Sequence, residues 1–98
     1  MKGFRSENKS KKTNKIKYLN NEIINKAFKS HSEGNIREAT KYYQQIIRQG
    51  CLDPRVFSNY GVILKNLGKL KEAEISTRKA IELNPNYSQG FLNLGLIL

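Results

Sequence analysis

The chain is poor in the residues on which many kinds of functional site depend. Among its 98 residues it has one cysteine, one histidine, two prolines and no tryptophan. A disulfide needs two cysteines, and a Cys/His metal centre needs several ligands. With only Cys51 and His31, one chain can form neither by itself. Scarce cysteine is typical of the reducing cytoplasm, and the sequence predicts a cytoplasmic protein without metal or cofactor.

Long apolar runs are missing as well. The longest is far shorter than the roughly 20 residues that a membrane-spanning helix needs. The basic N-terminus is not followed by the apolar stretch of a signal peptide. The sequence therefore predicts no interaction with a membrane.

Acidic residues are scarce, and the resulting charge is uneven. The net charge is +10, and residues 1–17 hold seven basic residues against one acidic residue. With few large apolar side chains, residues 1–19 are predicted to form a disordered basic tail. Such a tail attracts phosphates, but it lacks the interleaved aromatic residues of a base-reading surface, so nucleic-acid binding is not favoured.

An internal repeat of 34 residues is the strongest pattern that is present. Residues of one kind recur at this spacing: Asn25, Asn59 and Asn93; Ala27, Gly61 and Gly95; Gly34 and Gly68; Phe57 and Phe91. A fixed period of this length is typical of proteins built from stacked, similar units.

Each unit predicts two helices. In the second unit, apolar residues recur at intervals of three and four between Phe57 and Leu67, with Asp53 as N-cap and Pro54 in the first turn. Gly68 ends this helix, because a left-handed terminal residue is easiest for glycine.

A second amphipathic helix is predicted from about Leu70 to Leu83, and it ends before Pro85. Gly61 lies inside the first helix, where glycine costs about 1 kcal/mol against alanine. We expect Gly61 to face Ala73, so that the two backbones approach closely, as Ala27 and Ala39 would in the first unit.

A two-helix unit of 34 residues with these small residues resembles the tetratricopeptide repeat. The resemblance is strongest in the second unit, residues 54–87, and is carried by Phe57, Tyr60, Gly61, Leu64, Gly68, Ala73, Ala80 and Pro85. The first unit, residues 20–53, matches at Ile23, Ala27, Gly34, Ala39, Tyr43 and Ile46 and departs at Lys26, Ser30 and Cys51. Residues 88–98 form the first helix of an incomplete third unit.

The resemblance implies an all-α fold, a right-handed α-solenoid of antiparallel helix hairpins with about two and one-third repeats. The amino-acid sequence of the repeats is similar to that of cyanobacterial-type arrays. Such arrays often precede a glycosyltransferase, methyltransferase or sulfotransferase domain.

The resemblance also implies a concave surface, lined by the first helix of each unit, that binds an extended peptide. Asn25, Asn59 and Asn93 would form a ladder of amides, each able to donate and accept hydrogen bonds with a peptide main chain. This feature is similar to the superhelical repeats of O-linked N-acetylglucosamine transferases. The alternative is that these asparagines brace neighbouring repeats.

Other residues of the first helices complete the predicted peptide-binding surface: Asn21, Phe28, Arg55, Val62, Lys65 and Gln89. Arg55 and Lys65 could receive a carboxylate, although two cations on one helix are more often ordinary surface charges. The lysine-and-asparagine clamp of some family members needs more basic positions than this chain has. His31 is interpreted as a surface residue, and Cys51 as a small apolar filler between units.

No catalytic constellation is apparent in the sequence. Glu38 and Glu72 share a register, and we expect them to pair with nearby lysines. The favoured function is a non-catalytic protein-interaction scaffold with an unidentified protein or peptide partner. The alternatives are the leading segment of a modular transferase and, less favoured, nucleic-acid binding through the tail.

The sequence breaks off on an apolar helix face, which predicts an N-terminal fragment of a longer array or a truncated reading frame. Repeat arrays generally need about three units and a polar cap. We therefore expect self-association or partial folding through Phe91, Leu94, Ile97 and Leu98. Sedimentation at high micromolar concentration checks this, and a monomer with one sharp unfolding transition would contradict it.

Overall fold

The computed structural model describes residues 21–98, and the tail predicted for residues 1–19 lies outside them. Five helices occupy this range, and none of its residues is in a strand. The helices are α1 at 21–32, α2 at Ile36–Arg48, α3 at Pro54–Asn66, α4 at Leu70–Leu83 and α5 at Ser88–Ile97. The predicted all-α class is confirmed.

The ends of α3 and α4 follow from local chemistry, as predicted. The Asp53 carboxylate accepts a hydrogen bond from the Arg55 backbone N–H at 2.9 Å, and Pro54 opens α3. Gly68 has a φ of +79°, the left-handed conformation that favours glycine. Asn84, which precedes Pro85, leaves α4 in an extended conformation.

The helices form two layers. Among the pairs formed by α2 to α5, α3 and α4 pack most extensively, and α5 packs on both α4 and α3. On the other side of α3, the guanidinium carbon of Arg55 lies 5.2 Å from the centre of the Phe28 ring of α1. Thus α1, α3 and α5 lie side by side in one layer, with α2 and α4 in the other. This is the α-solenoid that the repeat predicts.

The core lies between the two layers. Its largest fully buried aliphatic and aromatic side chains are Tyr43, Ile46, Val56 and Ile63. Leu67 and Leu70, which lie at the ends of the predicted apolar patterns, are both exposed. They flank the turn at Gly68, where the chain reverses at the end of the hairpin and no neighbouring helix covers them.

Gly61 is the point of closest approach between α3 and α4. A Cβ atom at this position would overlap Thr77 Oγ1 and lie 3.4 Å from the carbonyl oxygen of Ala73. Ala27 and Ala39 are likewise fully buried in the first hairpin. The expected close approach at Gly61 is therefore confirmed, although Thr77 lies nearer than Ala73. The pairing of Ala27 with Ala39 stays a prediction.

Position 95 provides the contrast. Gly95 is the equivalent of Gly61 one repeat later, but a Cβ there would meet nothing within 4 Å. Apolar side chains near Gly95 are likewise uncovered, since Phe91 is 52% exposed and Leu98 is 76% exposed. Their equivalents in α3, Phe57 and Leu64, are buried. Self-association through this apolar face of α5 stays a prediction.

No helix within residues 21–98 is both long and apolar enough to span a bilayer.

Replacing each glycine by alanine separates packing from helix propensity. Gly61→Ala should lower the free energy of unfolding by about 1–3 kcal/mol, because the added methyl group overpacks the α3–α4 contact. Gly95→Ala should leave stability unchanged or raise it by up to about 1 kcal/mol, because only helix propensity changes. Urea unfolding followed by circular dichroism measures both, and equal effects at the two positions would contradict the packing argument.

Candidate functional site

The layer of α1, α3 and α5 carries all of the predicted site residues except Lys65 in three rows. Each row has members 34 residues apart, which therefore occupy equivalent positions on the three helices. We call them the polar row (Asn21, Arg55 and Gln89), the amide row (Asn25, Asn59 and Asn93) and the apolar row (Phe28, Val62 and Leu96).

These rows share one surface, which we call the inner surface. The polar and apolar rows are seven residues apart, close to two helical turns, and so lie on the same side of each helix. Val62 follows Gly61 directly and is rotated about 100° from the contact with α4. The polar and apolar rows are therefore gathered on one side of the layer, whereas burial varies within the amide row.

The polar row is exposed, but its one charged member is already engaged. Arg55 Nη2 lies 2.6 Å from Asp53 Oδ2, and Arg55 Nε also donates to this carboxylate. Burial alone would raise the pKa of Asp53, but the hydrogen bonds from Arg55 outweigh it and the pKa lies below its ordinary value. A ligand carboxylate at Arg55 would have to compete with Asp53.

The amide row differs from helix to helix. Asn93 is only 5% exposed, and its Nδ2 donates to Ser58 Oγ at 2.7 Å. Its Oδ1 accepts from Gln89 Nε2 at 2.9 Å. Asn59 is half-buried and Asn25 is exposed. The bracing alternative fits Asn93, whereas Asn25 is open to solvent.

The seams, by which we mean the contacts between neighbouring helices of the inner layer, explain this difference. The first seam joins α1 and α3, and the second joins α3 and α5. The position on α1 that is equivalent to Ser58 is Ile24, which is buried and has no hydroxyl group. Asn59 therefore has no partner there like that of Asn93, although its amide lies near the Tyr43 hydroxyl of α2 and acts to lower the pKa of that group.

Tyr43 connects this amide to His31. The Tyr43 hydroxyl lies 3.0 Å from His31 Nδ1, and the tyrosine is fully buried. Burial raises the pKa of Tyr43, which the Asn59 amide partly opposes, and burial lowers the pKa of His31. In the tautomer with an unprotonated Nδ1, a neutral His31 can accept a hydrogen bond from the Tyr43 hydroxyl. His31 is half-buried at the surface, and its ring contacts Tyr43 in this network.

The apolar row contains a residue that the sequence analysis missed. Phe28 and Val62 are half-buried, and Leu96, at the equivalent position of α5, is 63% exposed. The repeat itself could have found Leu96, since it lies 34 residues after Val62. Lys65 of α3 is half-buried and is absent from the ion pairs formed within residues 21–98.

The expected lysine partners of two glutamates are not found in the described range. Glu38 accepts hydrogen bonds from Asn35 Nδ2 at 2.6 Å and from the Tyr42 hydroxyl at 3.1 Å, so that prediction is wrong. Glu72 is likewise outside the ion pairs of residues 21–98. These acids lie on α2 and α4, away from the inner surface.

A groove of about 740 Å³ lies apart from the inner surface, between α2, α3 and α4. Its lining is mainly apolar and includes Ile47, Phe57, Leu64 and Ile75. Cys51 also lines it, and burial raises the pKa of the thiol, which fits the predicted role as a filler. We call this feature the outer groove.

The spacing of the first two units explains the outer groove. At the second junction, Gly90 lets α5 approach α4, since a Cβ there would lie 3.1 Å from Ile81. The equivalent residues at the first junction are Val56 and Ile47, and the Val56 side chain is fully buried. Accordingly, α2 and α3 pack less extensively than α4 and α5, and the groove opens beside Ile47.

Comparison with known proteins agrees with this architecture. Residues 54–87 match the model of the tetratricopeptide repeat. The structure resembles the TPR2B domain of yeast Sti1, solved as its pHsp70 complex, with a TM-score of 0.71 and 24% identity. That match covers 80% of this chain and 62% of the other. Residues 54–87 are therefore a tetratricopeptide repeat, and the structure shares the fold of that domain.

The curated relatives are much longer proteins. The Hsp70-Hsp90 organizing protein of Triticum aestivum is 35% identical over 60 residues, which cover 61% of this chain and 10% of that protein. The Hsp70-Hsp90 organising protein of Plasmodium falciparum is 32% identical over 74 residues, covering 76% and 28%. This chain therefore spans between about a tenth and about a quarter of these relatives.

The buried pair across the seam of α3 and α5 is open to a double-mutant test. Ser58→Ala and Asn93→Ala should each lower the free energy of unfolding by about 1–3 kcal/mol, because each leaves a buried polar partner unsatisfied. The double variant should cost less than the sum of the two, because both partners are then removed. Urea unfolding of all three variants measures this, and additive effects would contradict a direct bond.

Proposed function

We propose that this chain is a non-catalytic protein-interaction module that binds an extended peptide segment on its inner surface. The observation that carries the proposal is the repetition of an amide beside an apolar residue on three adjacent helices. Residues three apart on a helix are neighbours, so Asn25 adjoins Phe28 and Asn59 adjoins Val62. An amide can satisfy the peptide main chain, while the apolar residue next to it buries a side chain.

The roles within the amide row differ under this proposal. Asn25 and Asn59 are the two amides that we assign to the peptide main chain. Asn93 already bonds Ser58 and Gln89, so we assign it to bracing α5, with Gln89 presenting its remaining polar groups to the ligand. Arg55 and Lys65 supply positive charge at the edges of the site.

The relatives support a protein or peptide as the partner. Two of them are Hsp70-Hsp90 organizing proteins, and the structural relative was solved as a complex with pHsp70. None of these named relatives is a transferase, so they give no support to the alternative of a transferase segment. We assign the function to the cytoplasm, from the scarcity of cysteine.

The outer groove is a weaker candidate for the same function. Its lining is almost entirely apolar, and it lacks a repeated row of amides that could satisfy a peptide main chain.

The exposed α5 face supports a separate proposal, self-association, because Phe91 and Leu98 are uncovered where their equivalents in α3 are buried.

Substitution of the two amides that we assign to the peptide main chain tests the proposed function. Peptides selected from a random display library should bind Asn25→Ala and Asn59→Ala about five-fold more weakly, the effect of losing one hydrogen bond of about 1 kcal/mol. Fluorescence anisotropy measures the affinity and circular dichroism the helicity.

Gln49→Ala, which removes an exposed amide at the end of α2, is the matched control and should leave affinity unchanged. Asn25 is itself exposed, so its loss should not alter the fold. Failure of the library to yield any binder would refute the proposed function. If Asn59→Ala reduced helicity as much as affinity, Asn59 would be reassigned to structure.

A further inference from the structure

The apolar row has a spacing that is set by the helices that carry it. Phe28, Val62 and Leu96 occupy equivalent positions on α1, α3 and α5. These helices are direct neighbours, because Arg55 covers the Phe28 ring and Asn93 bonds Ser58. Packed helices lie about 8–10 Å apart, so successive members of the row are separated by about that distance.

This spacing discriminates between the two common extended backbones. In a β-strand, side chains on one face are two residues apart, which is about 6.7 Å, and the next on that face is about 13 Å away. In polyproline II, each turn has three residues with a rise of 3.1 Å, so side chains on one face are about 9.3 Å apart. The row therefore matches polyproline II and not a strand.

The neighbouring amides fit the same conformation. A polyproline II segment forms no internal hydrogen bonds, so its main-chain groups stay available to outside partners. Asn25 and Asn59 each lie one helical turn from a member of the apolar row. A segment lying along Phe28, Val62 and Leu96 would thus have an amide within reach at the first two of these positions.

The charge of the surrounding layer favours acidic residues in the ligand. Within α1, α3, α5 and the N-cap of α3, the only acids are Glu22 and Asp53, and both are paired with basic neighbours. Lys29 and Lys65 are outside the ion pairs formed within residues 21–98. The free charge on this layer is therefore positive.

We infer that the partner is a polyproline II segment of another protein, with an apolar side chain at every third position and acidic residues between. This inference rests on the proposed function and names the chemistry of its ligand. The apolar side chains lie on Phe28, Val62 and Leu96, and the acidic ones face Lys65. Arg55 is held by Asp53 near the Phe28 ring, so its positive charge borders one end of the row.

Two peptides of identical composition test the spacing. One has leucine at positions 1, 4 and 7 with proline and glutamate between, and the other has leucine at positions 1, 3 and 5. The first should bind the full chain at least ten-fold more tightly in fluorescence anisotropy. Both carry the same charge, so a difference between them reports spacing and not electrostatic attraction.

Variants of the apolar row locate the binding. Leu96→Ser should weaken binding of the first peptide at least five-fold, and Val62→Ser should do the same with helicity intact. Ile75→Ser is the matched control, because Ile75 and Leu96 are both 63% exposed but Ile75 lies on α4 beside the outer groove. Its affinity should be unchanged.

The outcomes separate this inference from the proposed function. Equal affinity for the two peptides, preference for the alternating peptide, or insensitivity to Leu96→Ser would overturn the inference. So would library-selected peptides that bind through Asn25 and Asn59 without an apolar residue at every third position; in that case the proposed function stands. If the library yields no binder and neither designed peptide binds, both the proposed function and the inference fail.

Discussion

The close approach of α3 to α4 at Gly61 is the constraint on which the rest of the structure depends. With no side chain at Gly61, Thr77 and the backbone of Ala73 come directly against α3. This contact fixes which side of α3 is buried, and Arg55, Val62 and the other inner-surface residues consequently lie outside it. Glycine lowers the stability of the helix by about 1 kcal/mol. This cost is small beside the free energy gained when such packing buries apolar surface.

The two junctions between units are built differently, although the units share one pattern. Val56 keeps α3 away from α2, whereas Gly90 lets α5 approach α4. Across the inner layer, Ile24 provides an apolar contact at the first seam, and Ser58 provides a hydrogen-bond partner for Asn93 at the second. Single substitutions at equivalent positions therefore decide whether a groove opens and whether an amide is buried.

Much of the fold could be predicted from the sequence, because it depends on local signals and on the period. Asp53, Pro54 and Gly68 mark helix ends through their own backbone preferences, and the period places equivalent residues in one layer. The burial of individual site residues could not be predicted, since it depends on what lies across a seam. Asn93 and Asn25 share a register, yet only Asn93 meets a hydroxyl group.

The contrast between the two seams has a mechanical consequence. Apolar contact of the Ile24 kind is non-directional and tolerates sliding, whereas the Asn93–Ser58 bond fixes both distance and angle. The curvature of the inner surface should therefore be rigid between α3 and α5 and compliant between α1 and α3. A peptide segment whose side-chain spacing or size does not match the inner surface would be accommodated by movement of α1 relative to α3. The geometry between α3 and α5 would stay unchanged.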